Sequence, residues 1–225
     1  MNKYLSVNLQ PICMSAGFAQ KGKAYFRVVG DGILQIIRPQ YERVFRSDVV
    51  YIGLLSMYDY LMPQHFTSTG SITRYPVSNC AAFDQRPLAF YPSAELQLDL
   101  LHNKVIPWLN TINTQKQLIN AISRLDPRWN DSLKIIPYLA CGEINHARKV
   151  AKEILRQHDF AYARRLAYQD TPPPTLNASH SESDNRLCAL IALMEKKDPN
   201  EIRACLSNNY AQNIIYAKFC CGDKT

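Results

Sequence analysis

The sequence predicts an α+β fold: an N-terminal helix, an antiparallel three- or four-stranded sheet, and then a C-terminal helical half of about six helices packed on it. Three observations carry this expectation. Gly17 to Pro39, GFAQKGKAYFRVVGDGILQIIRP, holds the alternating strand residues and the glycine-rich turn of a hairpin. A further apolar strand pattern follows at Val49 to Leu55. From Ser93 onward the apolar spacing changes to three and four, the period of helices. The chain thus divides into a sheet region, 1–92, and a helical region, 93–225, expected to share one core.

Each element has a local reason. Leu5, Val7, Leu9, Ile12 and Met14 make the leading segment a helix, and Gly17 closes it because glycine enters the left-handed region without a Cβ clash. Tyr25, Arg27 and Val29 alternate with Phe26 and Val28, residues suited to a pleated surface. Gly30, Asp31 and Gly32 supply the positive φ angles of a hairpin turn. Ile33, Leu34, Ile36 and Ile37 form the return strand, which the sequence ends at Pro39. After the third strand, residues 59–84 read as loop broken by a short strand near Ile72 to Val77.

Leu9, Pro11, Gly17, Phe18, Lys21, Gly22, Tyr25, Arg27 and the strand Ile33 to Ile37 together resemble the bacterial family named domain of unknown function 4304. Val49 to Leu55 and the run Val105, Ile106, Pro107, Trp108, Leu109 extend the resemblance over residues 1–125. It brings no catalytic residue and no cofactor. Some relatives occur in toxin and immunity contexts, so the resemblance implies a protein partner.

In the helical half, Leu96, Leu100, Leu101, Val105 and Trp108 define the first helix, with Pro107 placed to kink or restart it. Thr114 and Gln117 resemble a capping box, and Asp126 with Pro127 marks another start. Gly142 stops a helix after Ala140. Glu143 to Arg156 is strongly amphipathic, and a second helix from Phe160 to Tyr168 is expected to pair with it across a turn at His158 and Asp159. Gln169 to Asp184, with Pro172 to Pro174, reads as an exposed linker. Asp198, Pro199 and Glu201 cap the last helix, with Asn208 and Asn209 placed to break it.

The chain has 225 residues, enough to bury a substantial core, and its 26 Lys and Arg against 19 Asp and Glu give a net charge of +7. That charge favours acidic partners through long-range attraction. No apolar run approaches a bilayer span and the N-terminus lacks the order of a secretory signal, so a cytoplasmic protein without a membrane partner is expected. Cys13, Cys80, Cys141, Cys188, Cys205, Cys220 and Cys221 show no regular spacing and read as free thiols.

No motif specifies chemistry. Glu143 and His146 have an E-x-x-H spacing, but no second copy accompanies it and no metal site is assigned. Phosphate-binding glycine motifs are missing, and neither a catalytic residue nor a cofactor is assigned. Two basic stretches are the candidate partner-binding surfaces. One is Arg38, Tyr41, Arg43, Phe45 and Arg46; the other is Arg148, Lys149, Lys152 and Arg156 on the amphipathic helix. The expected function is a non-enzymatic protein-binding module, an immunity protein that neutralises a cognate toxin, and the charge of +7 points to a toxin with an acidic surface. The alternatives are a nucleic-acid-associated protein using those basic and aromatic residues, and an enzyme whose site assembles from scattered side chains.

Overall fold

In the first helix, α1 (Lys3–Ser15), Leu5, Leu9 and Cys13 recur every fourth residue and are fully buried. Gly17, at φ +80°, ends it: the Phe18 N–H reaches the Cys13 carbonyl at 3.0 Å and the Gly17 N–H the Met14 carbonyl at 3.1 Å. Those two bonds satisfy carbonyls that the last turn leaves open. This computed structural model describes residues 3–43, 46–59, 75–76, 93–125, 132–167, 182–196 and 198–221. The Asp126–Pro127 signal, Phe45, Cys80 and most of the proline-rich segment lie outside them.

Next comes a five-stranded antiparallel meander of β1 (Ala19–Lys21), β2 (Ala24–Val29), β3 (Ile33–Glu42), β4 (Ser47–Ser56) and β5 (Tyr75–Pro76), in chain order across the sheet. β2, β3 and β4 are the three strands expected, and β5 falls inside the expected short one. β1 is an addition: Lys21 pairs with Ala24, leaving Gly22 at the first position of a two-residue hairpin loop, where positive φ is required.

β3 runs past Pro39 to Glu42, beyond the stop expected from the sequence. Geometry explains why proline is tolerated. The Val50 N–H bonds the Gln97 side chain at 2.8 Å, away from β3, so its partner Pro39 also turns its nitrogen away from the β3–β4 ladder. The pairing of β2 with β3 already ends at Tyr25 and Ile37, so no ladder bond is lost. Arg38 to Asp48, which lies between the second and third expected strands, is therefore mostly strand among its described residues, with the Arg46 N–H reaching the Arg43 carbonyl at 3.4 Å where the chain turns.

The period of two sorts the strands onto two layers. Tyr25, Ile33, Ile37, Val50, Ile52 and Leu54 face α1 and the helices α2 (Ala94–Leu100), α3 (Ile106–Leu109) and α4 (Gln115–Leu125). Phe26, Leu34, Ile36, Leu55 and Met57 face the last helix, α8 (Pro199–Cys221), through Tyr210, Ile214 and Ala217. A third apolar cluster joins α5 (Ser132–Ala140), α6 (Ile144–Ala167), α7 (Glu182–Lys196) and the first half of α8. Burial on both faces explains why β3 reads as nearly continuous apolar sequence.

The helix signals have physical counterparts. Leu101–Val105 forms a π-helical segment between α2 and α3, and Pro107 is the second residue of α3, in the turn that follows it. At α4 the Gln117 N–H reaches Thr114 Oγ1 at 3.3 Å while the Thr114 N–H reaches Gln117 Oε1 at 3.0 Å, a reciprocal box. Gly142, at φ +79°, ends α5.

Two expected breaks are absent. α6 continues through His158 and Asp159, neither of which removes a backbone bond, so no helical hairpin forms there. α8 continues through Asn208 and Asn209. Its asparagines bond outward instead: Asn209 donates to the Tyr58 carbonyl at 3.1 Å, and buried Asn213 donates to those of Met57 and Asp59 at 2.7 Å each. Side-chain partners elsewhere in the fold remove the competition with helix.

Candidate functional site

Most polar side chains that penetrate the fold are engaged in holding element ends together. Arg27, half-buried on β2, donates to the Ala16 carbonyl at 2.5 Å, to Gln35 at 2.9 Å and to Asn110 at 2.6 Å, with its guanidinium 4.4 Å from the Phe18 ring centroid. Gln35 passes the link on to the Leu109 carbonyl at 2.8 Å. A cation beneath the carbonyl ends of α1 and α3 is favourably placed for both helix dipoles. The Gln97 amide behaves like a short strand, accepting from Val50 N–H and donating to the Asp48 carbonyl at 2.9 Å, and so covers an edge of β4.

A second junction gathers around the β2–β3 turn. Tyr58 donates to Asp31 at 2.8 Å and stacks on Tyr210 with centroids 5.0 Å apart, while Arg186 pairs with Asp59. Desolvation, then the bond to Asp31, pushes the Tyr58 hydroxyl up to about 12, so it stays a neutral donor at physiological pH. These are packing roles. Among the described residues no group of His, Cys, Asp and Glu could hold a metal ion, and His146 stacks instead on Tyr138 at 4.5 Å.

Buried Cys13 lies close to Arg27, yet desolvation outweighs that charge and lifts its thiol to about 12. In native protein at pH 8, alkylation is therefore expected at exposed Cys141 and Cys188 while Cys13 stays unmodified until denaturant is added. Peptide mapping after iodoacetamide checks this, and native labelling of Cys13 would contradict its burial.

The basic stretches separate. Arg38 and Tyr41 lie on β3, Arg43 follows it and Arg46 precedes β4, and Arg43, Arg46 and Tyr41 are exposed. Arg46 holds φ +49°, a left-handed conformation for a non-glycine residue. On α6 the structure reveals partners that the sequence alone did not pair. Lys152 bonds Glu195 of α7 at 2.6 Å, Arg156 bonds Glu153 at 2.7 and 2.9 Å, and Arg148 reaches Asn145 at 3.4 Å. Lys149 is exposed. The two stretches belong to different parts of the fold, the first on the sheet and the second on the cluster of α5, α6 and α7.

Glu153 is held down at about 2, first by the Arg156 hydrogen bond and then by Gln157. Because its folded pKa lies below the unfolded one, any stabilisation is complete above the ordinary carboxylate range and fades as pH falls toward 2. The exposed position of the pair on the surface keeps that contribution small and salt-sensitive. An NMR titration of the Glu153 carboxyl is expected to give a midpoint below that of an unpaired glutamate, and the shift is expected to disappear in Arg156→Ala.

Comparison with protein-family models, curated proteins and solved structures finds no match. No helix among the described residues is long and apolar enough to cross a membrane.

One surface was not singled out from sequence. On α1, opposite the stripe of Leu5, Leu9 and Cys13, Tyr4 is 46% exposed, Val7 61% and Met14 51%, with Pro11 exposed between them. The spacing 4, 7, 11, 14 places all four side chains along one helix face. Beside it an open groove of about 270 Å³ runs between α1 and the β1–β2 hairpin, lined by Val7, Gln10, Lys23, Tyr25 and Pro39 among others. The available signal was the double periodicity of α1: apolar residues at two helical phases, of which a single core can bury only one.

Proposed function

We propose that the protein is a non-enzymatic module that binds another protein, and that its specific form is a cytoplasmic immunity protein that occludes a bacterial toxin. The carrying observation is the exposed apolar face of α1, with Val7 and Met14 more than half exposed. Apolar side chains aligned on one exposed helix face are what a protein interface uses at its centre. The resemblance of residues 1–125 to a family with toxin and immunity contexts supports the narrower form. Pairing of Lys152 with Glu195 and of Arg156 with Glu153 takes up two of the four cations of the α6 stripe, which favours a protein partner over nucleic acid.

The test is affinity purification of the tagged chain, co-expressed with the product of its neighbouring gene and washed at low and high salt. A stoichiometric protein that survives high salt is expected. Nucleic acid that is lost at high salt would instead favour phosphate binding through Arg38, Arg43 and Arg46.

A further inference from the structure

We infer that the α1 face and its adjoining groove receive an acidic amphipathic segment of the partner, with bulky apolar residues on the α1 stripe and Asp or Glu facing the β1–β2 hairpin. This deepens the protein-binding reading and rests on it. Tyr4 to Met14 spans about 15 Å of helix, which matches two to three turns of a docked helix reading i, i+3 or i+4 anchors. The groove beside Val7 supplies the pocket for one such anchor, walled by Tyr25 and Pro39.

The charge of the surrounding chain selects the occupant. Residues 1–30, which build α1 and the first hairpin, contain Lys3, Lys21, Lys23 and Arg27 and no Asp or Glu. Arg27 is engaged inside the fold, but Lys23 lines the groove and is exposed. Tyr41, 48% exposed on the overhang of β3 beyond Pro39, and exposed Arg43 after the strand add an aromatic and a basic side chain, next to Glu42 and with Asp48 opposite Tyr41 on β4. A second copy of this chain would bring lysine against lysine here, whereas an acidic segment meets complementary charge.

The experiment places a photo-crosslinking residue at Val7, at Met14 or, as a control on α8, at exposed Ile215 of the full chain, irradiates the native cells, and sequences the adducts. Positions 7 and 14 are expected to join one stretch of a foreign protein richer in Asp and Glu than in Lys and Arg. Position 215 is expected not to reach it, and Lys23→Glu to abolish the adduct at 14. Adducts at 7 and 14 with a second copy of this chain, with lipid, with nucleic acid or with a basic stretch would overturn the inference. A foreign protein captured at high salt that crosslinks at 215 but not at 7 and 14 overturns this surface while leaving the binding reading intact. No protein at any position, with none retained in the affinity purification, overturns both.

Discussion

Gly30→Ala is expected to lower the free energy of unfolding by about 3 to 4 kcal/mol, and Gly22→Ala by only about 1. Both glycines have positive φ, +49° and +59°, so both substitutions meet the left-handed strain of a side chain. They differ in what the new methyl meets. At Gly22 nothing lies within 4 Å, whereas at Gly30 the Cβ would sit 2.0 Å from the Asn113 carbonyl oxygen. That carbonyl is fixed, since it accepts the Asp31 N–H at 2.7 Å, and Gln115 holds the next carbonyl of the turn at 2.5 Å. The β2–β3 turn is thus pressed against the connection between α3 and α4 with no room for a side chain. Urea unfolding followed by tryptophan fluorescence measures both losses. Equal losses in the two variants would show that the turn can move off Asn113 at little cost.

Arg27→Met is expected to cost about 3 kcal/mol. The substitution keeps an apolar stem against Phe18 but removes every donor, leaving the Ala16 carbonyl and Gln35 with unmet bonds at the meeting point of α1, β2 and α3. Arg27→Lys keeps the charge, but an ammonium cannot reproduce the planar fork that reaches three acceptors, so about half of the loss is expected to remain. Adding Gln35→Leu to Arg27→Met is expected to deepen the loss, because the Gln35 amide also donates to the buried carbonyls of Leu109 at 2.8 Å and Ile112 at 3.4 Å. Chemical denaturation of the four proteins reads this directly. A single loss below about 0.5 kcal/mol would place Arg27 among ordinary surface arginines.

What the sequence showed in advance is what local chemistry dictates. The Gly17 stop, the Gly30 to Gly32 turn, the Thr114 and Gln117 box and the cap at Asp198 each depend on a few consecutive residues. All four are present, the last as Asn200 N–H to Asp198 Oδ1 at 2.8 Å. What it did not show depends on residues distant in the chain. Pro39 is accommodated inside β3 because Gln97 holds the far edge of β4, and Asn209 and Asn213 stay helical because the chain after β4 takes their amides. The α6 stripe looked uncommitted because Glu195 lies 43 residues from Lys152. The exposed face of α1 is hidden for a different reason: Val7 and Met14 share one apolar run with Leu5 and Leu9 in the sequence, although they point the opposite way.

The second face of the sheet has a consequence for synthesis on the ribosome. Phe26, Leu34, Ile36 and Met57 have been made before residue 60, but the side chains that shield them, Tyr210, Ile214 and Ala217, come from the last helix. At ordinary elongation rates of about 5–20 residues per second, that greasy face waits roughly ten to thirty seconds for its cover. A nascent chain of this protein is therefore a natural client for holding chaperones, and a premature stop that removes the end of α8 leaves a product prone to aggregate rather than a smaller working domain.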